Sequence, residues 1–362
     1  MDSERVAAKI EDQFHKMVRK DRDIHIAHYT VWSPSKDFKL KLSDAEEGIY
    51  HHPDQPQFTA SVSKMLTSTL LAVLEEEGKV SYDDPISMYL DDDVLKGLHV
   101  LDGVDHSEGI LVRHLLNHTS GLHDYFEEGS SIKKMELKVV MDDPDRFWDP
   151  RELIEISKQI SPPRFKPGGG FYYSSTGYQI LGLIIEEITS MPYHEVISSR
   201  FFRPLDMRSA YLIQRSTPIE ASPHPVAGVY LGDENVVGYR SLSEEYAAGG
   251  MVCSAEDACR FIRAFAAGEI ISPDAYTKMQ DWAKFGLNLD YGYGLMRFKS
   301  LPLLMPFEML GHAGATGTFM LWEPRTMTFH VGGVHQHAKH SKAIRMAMMG
   351  QSLVGKIPGV SR

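Results

Sequence analysis

The sequence predicts an α+β protein in which strands from both chain ends build one antiparallel sheet, flanked by helices, with a mainly helical stretch inserted between them. Three observations carry this. Residues 24–32 (IHIAHYTVW) and 38–42 (FKLKL) read as two strands near the start of the chain. Residues 315–334 read as a hairpin near its end: GATGTFMLW, a turn at Glu323-Pro324-Arg325-Thr326, then MTFHVGGV. Between them, residues 79 to about 205 are dominated by helical patterns and loops. The expected layout is therefore a sheet domain of residues 1–80 and 206–362, a mainly helical domain of residues 81–205, and a site between them.

The elements follow in order. Val6, Ile10, Phe14 and Val18 recur every four residues, the spacing of an amphipathic helix. The two early strands are joined by a turn at Pro34. A helix is expected from Ser61 through Glu77, stopped by Gly78. Asp84-Pro85 opens a short helix, with proline at a tolerated first-turn position. Arg113 to Asn117 belongs to another, ending in His118-Thr119-Ser120-Gly121. Residues 151–160 are amphipathic and closed by Pro162-Pro163. Gly177 to Thr189 is apolar nearly all round, so it should be buried. Strand character returns around 226–240. Ser254 then caps a helix, with Asp257 three residues on in a capping-box-like arrangement. A last helix is expected over roughly 341–350.

Composition narrows the function. The chain has 362 residues, 43% of them apolar and 24% charged, ordinary values for a globular enzyme. Its formal net charge of −11, with runs such as Glu75-Glu76-Glu77 and Asp91-Asp92-Asp93, argues against nucleic-acid binding. No segment approaches the ~18 consecutive apolar residues of a membrane span. Met1 to Asp23 is charged throughout and lacks a signal-peptide core, which points to a cytoplasmic protein unless an export signal has been removed. Cys253 and Cys259, both placed at one helix start, are too few for a disulfide framework.

The chemistry starts at Ser61-Val62-Ser63-Lys64. On a helix this spacing puts a hydroxyl and an amine one turn apart on one face. A lysine held against a serine, stripped of some water, can take its proton and make it a nucleophile. Ser-x-x-Lys occurs more than once, so spacing alone decides nothing. Ser33-Pro34-Ser35-Lys36 holds a proline that disfavours a helical residue before it. Ser131-Ile132-Lys133-Lys134 lies in a polar stretch with no apolar stripe. Only Ser61 opens a good helix, where Val62, Met65, Leu66, Leu70, Val73 and Leu74 form the apolar surface. Ser61, Lys64 and Ser68 form a narrow polar stripe on another side.

Two more stretches join it. The glycine-rich turn Gly168-Gly169-Gly170 leads into Phe171-Tyr172-Tyr173-Ser174-Ser175, and such a turn can push a side chain into a cleft. Tyr173 is the candidate, because an ammonium nearby lowers a phenol's affinity for its proton and lets Tyr173 and Lys64 share one as the base for Ser61. The plainer alternative is a half-buried packing tyrosine. Leu310-Gly311-His312-Ala313-Gly314-Ala315-Thr316-Gly317 precedes the hairpin. Small residues on a strand edge let a substrate backbone approach. The amides of Ser61 and Ala315 can then form an oxyanion hole, with His312 as a polar, protonatable group beside the hydroxyl. His330-Val331-Gly332, inside the second hairpin strand, reads as packing. Tyr125, Phe126, Tyr172 and Tyr246 are candidate cleft-lining residues, each equally plausible as packing.

Together and in this order, these elements resemble the serine β-lactamase and penicillin-binding-protein superfamily, in its class C β-lactamase, D-alanyl-D-alanine carboxypeptidase and esterase branch. The family pattern is Ser-x-x-Lys, then Tyr-x-Asn, then Lys- or His-x-Gly. Phe58-Thr59-Ala60, residues 113–122 (RHLLNHTSGL), Pro204-Leu205-Asp206-Met207, Ala248-Gly249-Gly250-Met251 and Tyr291-Gly292-Tyr293-Gly294-Leu295 fit the same branch, so the likeness runs from about residue 25 to 335. The resemblance implies the β-lactamase/transpeptidase-like fold. It implies Ser61 as nucleophile, Lys64 as its proton partner, Tyr173 as general base and His312 at the third-motif position, with Gly314 and Ala315 beside the substrate. It implies no cofactor and a small-molecule or short-peptide substrate. One position departs: the family's asparagine is Ser175, whose hydroxyl cannot make the same two-ended contact as an amide. That, and histidine in place of lysine, points away from efficient β-lactam or peptidoglycan recognition and towards peptidase or esterase relatives.

The expected function is thus a serine hydrolase acting through an acyl-enzyme on an ester, an amide or a small peptide, including D-amino-acid peptides. The alternatives are a weak β-lactamase, or a non-catalytic relative that binds penicillin or peptides. A remote rival is a metallo-hydrolase, since His335-Gln336-His337-Ala338-Lys339-His340 has the spacing of a His-x-His-x-Asp-His motif. Lysine replaces the aspartate there, and residues 341–362 offer no further ligand. An α/β-hydrolase would need a Gly-x-Ser-x-Gly elbow, which is absent.

Overall fold

The computed structural model describes residues 1–125, 139–300 and 306–359. The decoy Ser131–Lys134 and the candidate Phe126 lie outside these.

The N-terminal periodicity becomes helix α1 (Ser3–Lys20), started by Asp2, whose side chain accepts the Arg5 amide at 2.8 Å. Strands β1 (Ile26–Ser33) and β2 (Phe38–Ala45) follow, paired antiparallel around a tight turn at Pro34–Lys36. The chain then forms helices α2 (Lys64–Glu76), α3 (Pro150–Ile160), α4 (Ser175–Thr189) and α5 (Ala255–Ala266). Strands β3 (Ala283–Lys284), β4 (Leu289–Tyr291), β5 (Met296–Phe298), β6 (Met309–Ala313), β7 (Thr318–Glu323) and β8 (Thr328–Gly333) complete the sheet, and α6 (His340–Val354) closes the described chain. Among the described residues the main sheet runs β3-β4-β5-β6-β7-β8-β1-β2, antiparallel throughout. The sheet does join both chain ends, because β8 pairs with β1 (His28 opposite Gly333, Trp32 opposite Phe329).

Alternation along β7 sorts the core. Phe319 and Leu321 face one apolar cluster with Val6, Ile10 and Phe14 of α1 and Met346 and Ala347 of α6. Met320 and Trp322 face a second, continuous cluster that takes in Leu66 and Leu70 of α2, Ile180, Leu181 and Ile184 of α4, and Phe261 of α5. Sheet faces are covered on both sides, so β1 and β8 are buried almost throughout rather than half-exposed. Helix α6 lies close on β1 only because residue 350 is glycine, where an added methyl would overlap the Tyr29 hydroxyl.

Four expectations need correction. The stretch 226–240 holds only the short pair Tyr230–Leu231 and Glu234–Asn235, the rest being loop. Its aromatic and β-branched residues pack a local cluster with Phe58 and Val252 instead of extending the sheet. Cys253 ends a short strand, Met251–Cys253, and only Cys259 is helical; both are free and buried. Ser254 does cap α5, accepting the Asp257 amide at 3.1 Å, but the Asp257 carboxylate turns to Ser209 (2.8 Å to N, 2.5 Å to Oγ) instead of closing a capping box. Pro85 sits just before the turn Ile86–Met88 rather than within it. No helix among the described residues is long and apolar enough to cross a membrane.

Several buried histidines are held neutral. His28 bonds His335 (Nδ1 to Nε2, 3.0 Å) and the His52 carbonyl, and burial pushes it down to about 4. His330 takes the Tyr29 hydroxyl at 2.8 Å, reaches Gln351 at 3.0 Å, and is pushed by burial to about 4. The unfolded chain binds these protons below pH ~6.5 while the folded chain refuses them until about 4, so stability is full above that window and falls as pH drops through it. Each such histidine removes about 1.4 kcal/mol per pH unit there. Urea denaturation at pH 7 and pH 5 should show a clearly lower midpoint at pH 5; equal midpoints would contradict the buried neutral pair.

Candidate active site

Ser61 does not open a regular α-helix. It sits in a tight helical turn, Ala60–Ser63, between the short strand Gln57–Phe58 and α2. Ala60 takes a left-handed φ of +47°, a conformation costing of order 1 kcal/mol for a residue with a Cβ. The surroundings hold it there. The Thr59 amide and hydroxyl both donate to the Met251 carbonyl at 2.9 Å. The Met251 amide donates to Ser63 Oγ at 3.0 Å, and Thr318 of β7 donates to the Thr59 carbonyl at 2.7 Å. Gly314 packs behind the turn, where an added methyl would lie 2.9 Å from Ala60 Cβ and 3.1 Å from the Thr59 carbonyl.

The polar stripe of α2 faces the interior. Lys64 is fully buried, and its Nζ lies 3.1 Å from Ser61 Oγ, 3.3 Å from Ser175 Oγ and 2.8 Å from the Ala248 carbonyl. One geometry serves both protonation states. An ammonium donates to all three oxygens; a neutral amine donates to Ser175 and Ala248 and turns its lone pair to the Ser61 hydroxyl. Ser175, at the start of α4, therefore reaches the lysine despite its short side chain. The next turn of α2 repeats the pattern, with Thr67 donating to the Ala247 carbonyl at 2.7 Å. Ser68 meets the Tyr178 hydroxyl at 3.0 Å.

Tyr173 comes from the glycine-rich turn, as expected, and its ring centroid is 5.1 Å from Lys64 Nζ. His118, given no role above, is what fixes it. The Tyr172 amide donates to the His118 carbonyl (2.9 Å) and the Ser174 amide donates to His118 Nδ1 (3.1 Å), so Tyr173 is bracketed. The His118 ring centroid lies 4.2 Å from that of Tyr173, tilted by 36°, and Phe285 stacks nearly parallel to Tyr173 at 5.8 Å. His118 has φ +58°, and burial, then the neighbouring Lys64, push its imidazole well below the usual range. The motif residues 118–121 carried the signal, since a histidine in a polar helix end is a ready anchor, but its partner is 55 residues away in sequence and invisible there.

His312 is reassigned from a protonated group beside the hydroxyl. It is fully buried on β6; Nδ1 donates to the Ala313 carbonyl at 2.9 Å, and Nε2 accepts the Tyr291 hydroxyl at 2.9 Å. Burial, then Lys64, push it down to about 3, so it is neutral. Tyr291 lies beside Tyr178, their hydroxyl oxygens 3.4 Å apart, and Tyr178 donates its proton to the Leu116 carbonyl at 2.9 Å. His312 thus begins an internal chain of phenols. Ala315 shares a narrow cleft with Ser61 and Ser175, and Tyr125, Glu244, Thr316 and His337 also line it. Tyr246 does not; it lines a separate surface concavity of about 690 Å³ with Tyr89, Arg151 and Arg215. Tyr172 is half-buried against His123, ring to ring at 5.7 Å.

The histidines of the metal reading do not converge. His335 is buried on His28, His337 lines the Ser61 cleft, and His340 is exposed at the first turn of α6. No group of three or more histidine, cysteine, aspartate or glutamate side chains among the described residues is placed to hold a metal. The decoy pair Ser33 and Lys36 is also structural: Ser33 Oγ meets Thr328 at 2.8 Å, and Lys36 reaches the Ile357 carbonyl. His330 packs within β8, as read from the sequence.

Comparison with known proteins agrees with this architecture. A family model described as Beta-lactamase matches residues 9–349. A Bacillus subtilis (strain 168) protein described as "Putative penicillin-binding protein PbpX" is 29% identical over 239 residues, 66% of this chain and 53% of that protein. The Staphylococcus aureus teichoic acid D-alanine hydrolase is 28% identical over 176 residues, 47% of this chain and 37% of its own. The chain thus spans about half or less of these relatives. The crystal structure of a D-stereospecific amidohydrolase from Streptomyces sp. superposes with a TM-score of 0.77 at 24% identity, covering 95% of this chain and 98% of that one. At that identity the likeness speaks for the fold alone.

The phenol chain gives a test. Tyr291→Phe strips His312 Nε2 of its buried partner and should lower stability by about 1–3 kcal/mol, the cost of an unsatisfied buried polar atom. Urea denaturation of the purified variant reads this; an unchanged midpoint would mean that the His312–Tyr291 bond does not form.

Proposed function

Because this chain belongs to the beta-lactamase family, we propose that it is a serine hydrolase that forms an acyl-enzyme on an ester, an amide or a small peptide, D-amino-acid amides and peptides among them. The observation that carries this reading is the buried Lys64 amine 3.1 Å from Ser61 Oγ, with two further oxygens orienting it. A D-stereospecific amidohydrolase of like fold and a teichoic acid D-alanine hydrolase of like sequence support the D-amino-acid substrate classes.

In this mechanism Ser61 Oγ attacks the substrate carbonyl while its proton passes to Lys64. Tyr173, whose ring lies against the amine, completes the pair and returns the proton to the leaving group. The oxyanion rests on the Ser61 and Ala315 amides, with Gly314 keeping the β6 end close to the Ser61 turn. Water then attacks the acyl-enzyme with the same pair as base. Ser175 serves as the second post of the lysine. His312, neutral and bonded to Tyr291, acts as internal support for this corner rather than as a substrate ligand. The cleft lies between a sheet unit of residues 1–80 and 206–362 and a helical unit of residues 81–205.

A fluorophosphonate should label Ser61 and fail on Ser61→Ala; labelling that persists in that variant would end this reading. Lys64→Ala and Tyr173→Phe should each lower turnover of p-nitrophenyl esters by at least ~100-fold, the scale of a lost general base. Ser175→Ala should cost less, about 10-fold, since Ala248 still holds the amine. Near-wild-type rates in either of the first two variants would reject the assigned pair.

A further inference from the structure

One carboxyl group in the Ser61 cleft has no part in the chemistry above. Glu244 is 1% exposed, yet it lines the same cleft as Ser61, Ser175 and Ala315. Its Oε2 accepts the Tyr125 hydroxyl at 2.7 Å, and Tyr125 in turn accepts Gln179 Nε2 at 2.8 Å. Its Oε1 is buried with no hydrogen-bond partner among the described residues. Such an oxygen costs about 1–3 kcal/mol unless a water or a ligand supplies the missing bond, and this one lines a cleft that a ligand can enter.

The surroundings say what kind of ligand. Asp124 and Glu245 raise the Glu244 affinity for its proton, so the corner gathers three acidic side chains. Burial is the larger cause and holds the Glu244 carboxyl well above the ordinary range, with Lys64 opposing it. Among the described residues that line the cleft there is no lysine or arginine, and its remaining walls include Val140, Leu231, Val236 and Leu242. A neutral donor would satisfy one oxygen and leave the acidic potential unanswered. A cation would satisfy both, and apolar walls strengthen the attraction.

We propose that Glu244 is a specificity residue that binds a cationic amine carried by the substrate beside its scissile carbonyl, so that the preferred substrates are amides or esters with a free amino group. The amine binds as ammonium, and Glu244 gives up its proton to solvent as the pair forms. This rests on Ser61 being the nucleophile, and the test separates the two.

Fluorophosphonate labelling of Ser61 is followed in the presence of D- or L-alaninamide and of their N-acetyl forms. The free amines of at least one hand should slow labelling at concentrations at least ~10-fold lower than their capped forms, since a desolvated charge pair is worth that much or more. Equal protection by capped and free forms, or better protection by the capped ones, overturns the proposal. In Glu244→Gln the ratio of kcat/KM for alanine p-nitroanilide over N-acetylalanine p-nitroanilide should fall at least ~10-fold, whatever the variant does to both rates. An unchanged ratio in folded Glu244→Gln also overturns it, and if that variant does not fold, the wild-type protection ratio decides. Loss of all labelling in wild type would instead sink the Ser61 reading, a different failure.

Discussion

The interaction on which this site depends is a buried amine held by three oxygens. Lys64 reaches its position from the first residue of α2, but what it touches comes from three other places: the Ser61 turn, the start of α4 and the carbonyl end of a short helix at Tyr246–Gly249. A long, flexible side chain buried without such anchoring would be both costly and disordered. The anchoring in turn requires α2 to be surrounded, and it is the second apolar cluster that surrounds it. Core and chemistry are therefore the same construction seen from two sides of one helix.

A second layer fixes the aromatic groups. His118 brackets Tyr173 by two backbone amides, and His312, Tyr291, Tyr178 and Ser68 form a chain that ends back on α2. Both histidines are neutral because they are buried. His312 works as a two-ended spacer with one donor and one acceptor rather than as a titrating group, whereas His118 holds its neighbours through Nδ1 and its carbonyl.

Much of this was legible in the sequence, and what was not has physical causes. Period and capping placed α1, β1, β2, the β7–β8 hairpin, α4 and α5. The apolar helix following Ser61 singled it out among the Ser-x-x-Lys matches, and the structure brings Lys64 to it, with the Tyr173 ring near that amine. The local form of the Ser61 turn was misread, because the left-handed Ala60 is imposed by Thr59, Met251 and Thr318 from outside the segment. The role of Ala248 could not be read at all, since a carbonyl carries no residue-type signature. Residues 226–240 looked like strand because aromatic and β-branched residues signal burial as well as pairing. Tyr246 looked like a cleft residue by composition alone and lies elsewhere.

The apolar cluster that reaches from Leu66 and Ile110 through Ile184 and Phe202 to Trp322 has a mechanical corollary. Helices α2 and α4 and the sheet face behind them, joined through one continuous interior, cannot swing apart like a jaw without exposing that interior to water. Helix α2, which carries Lys64, and helix α4, which carries Ser175, are thereby locked to one another through that interior.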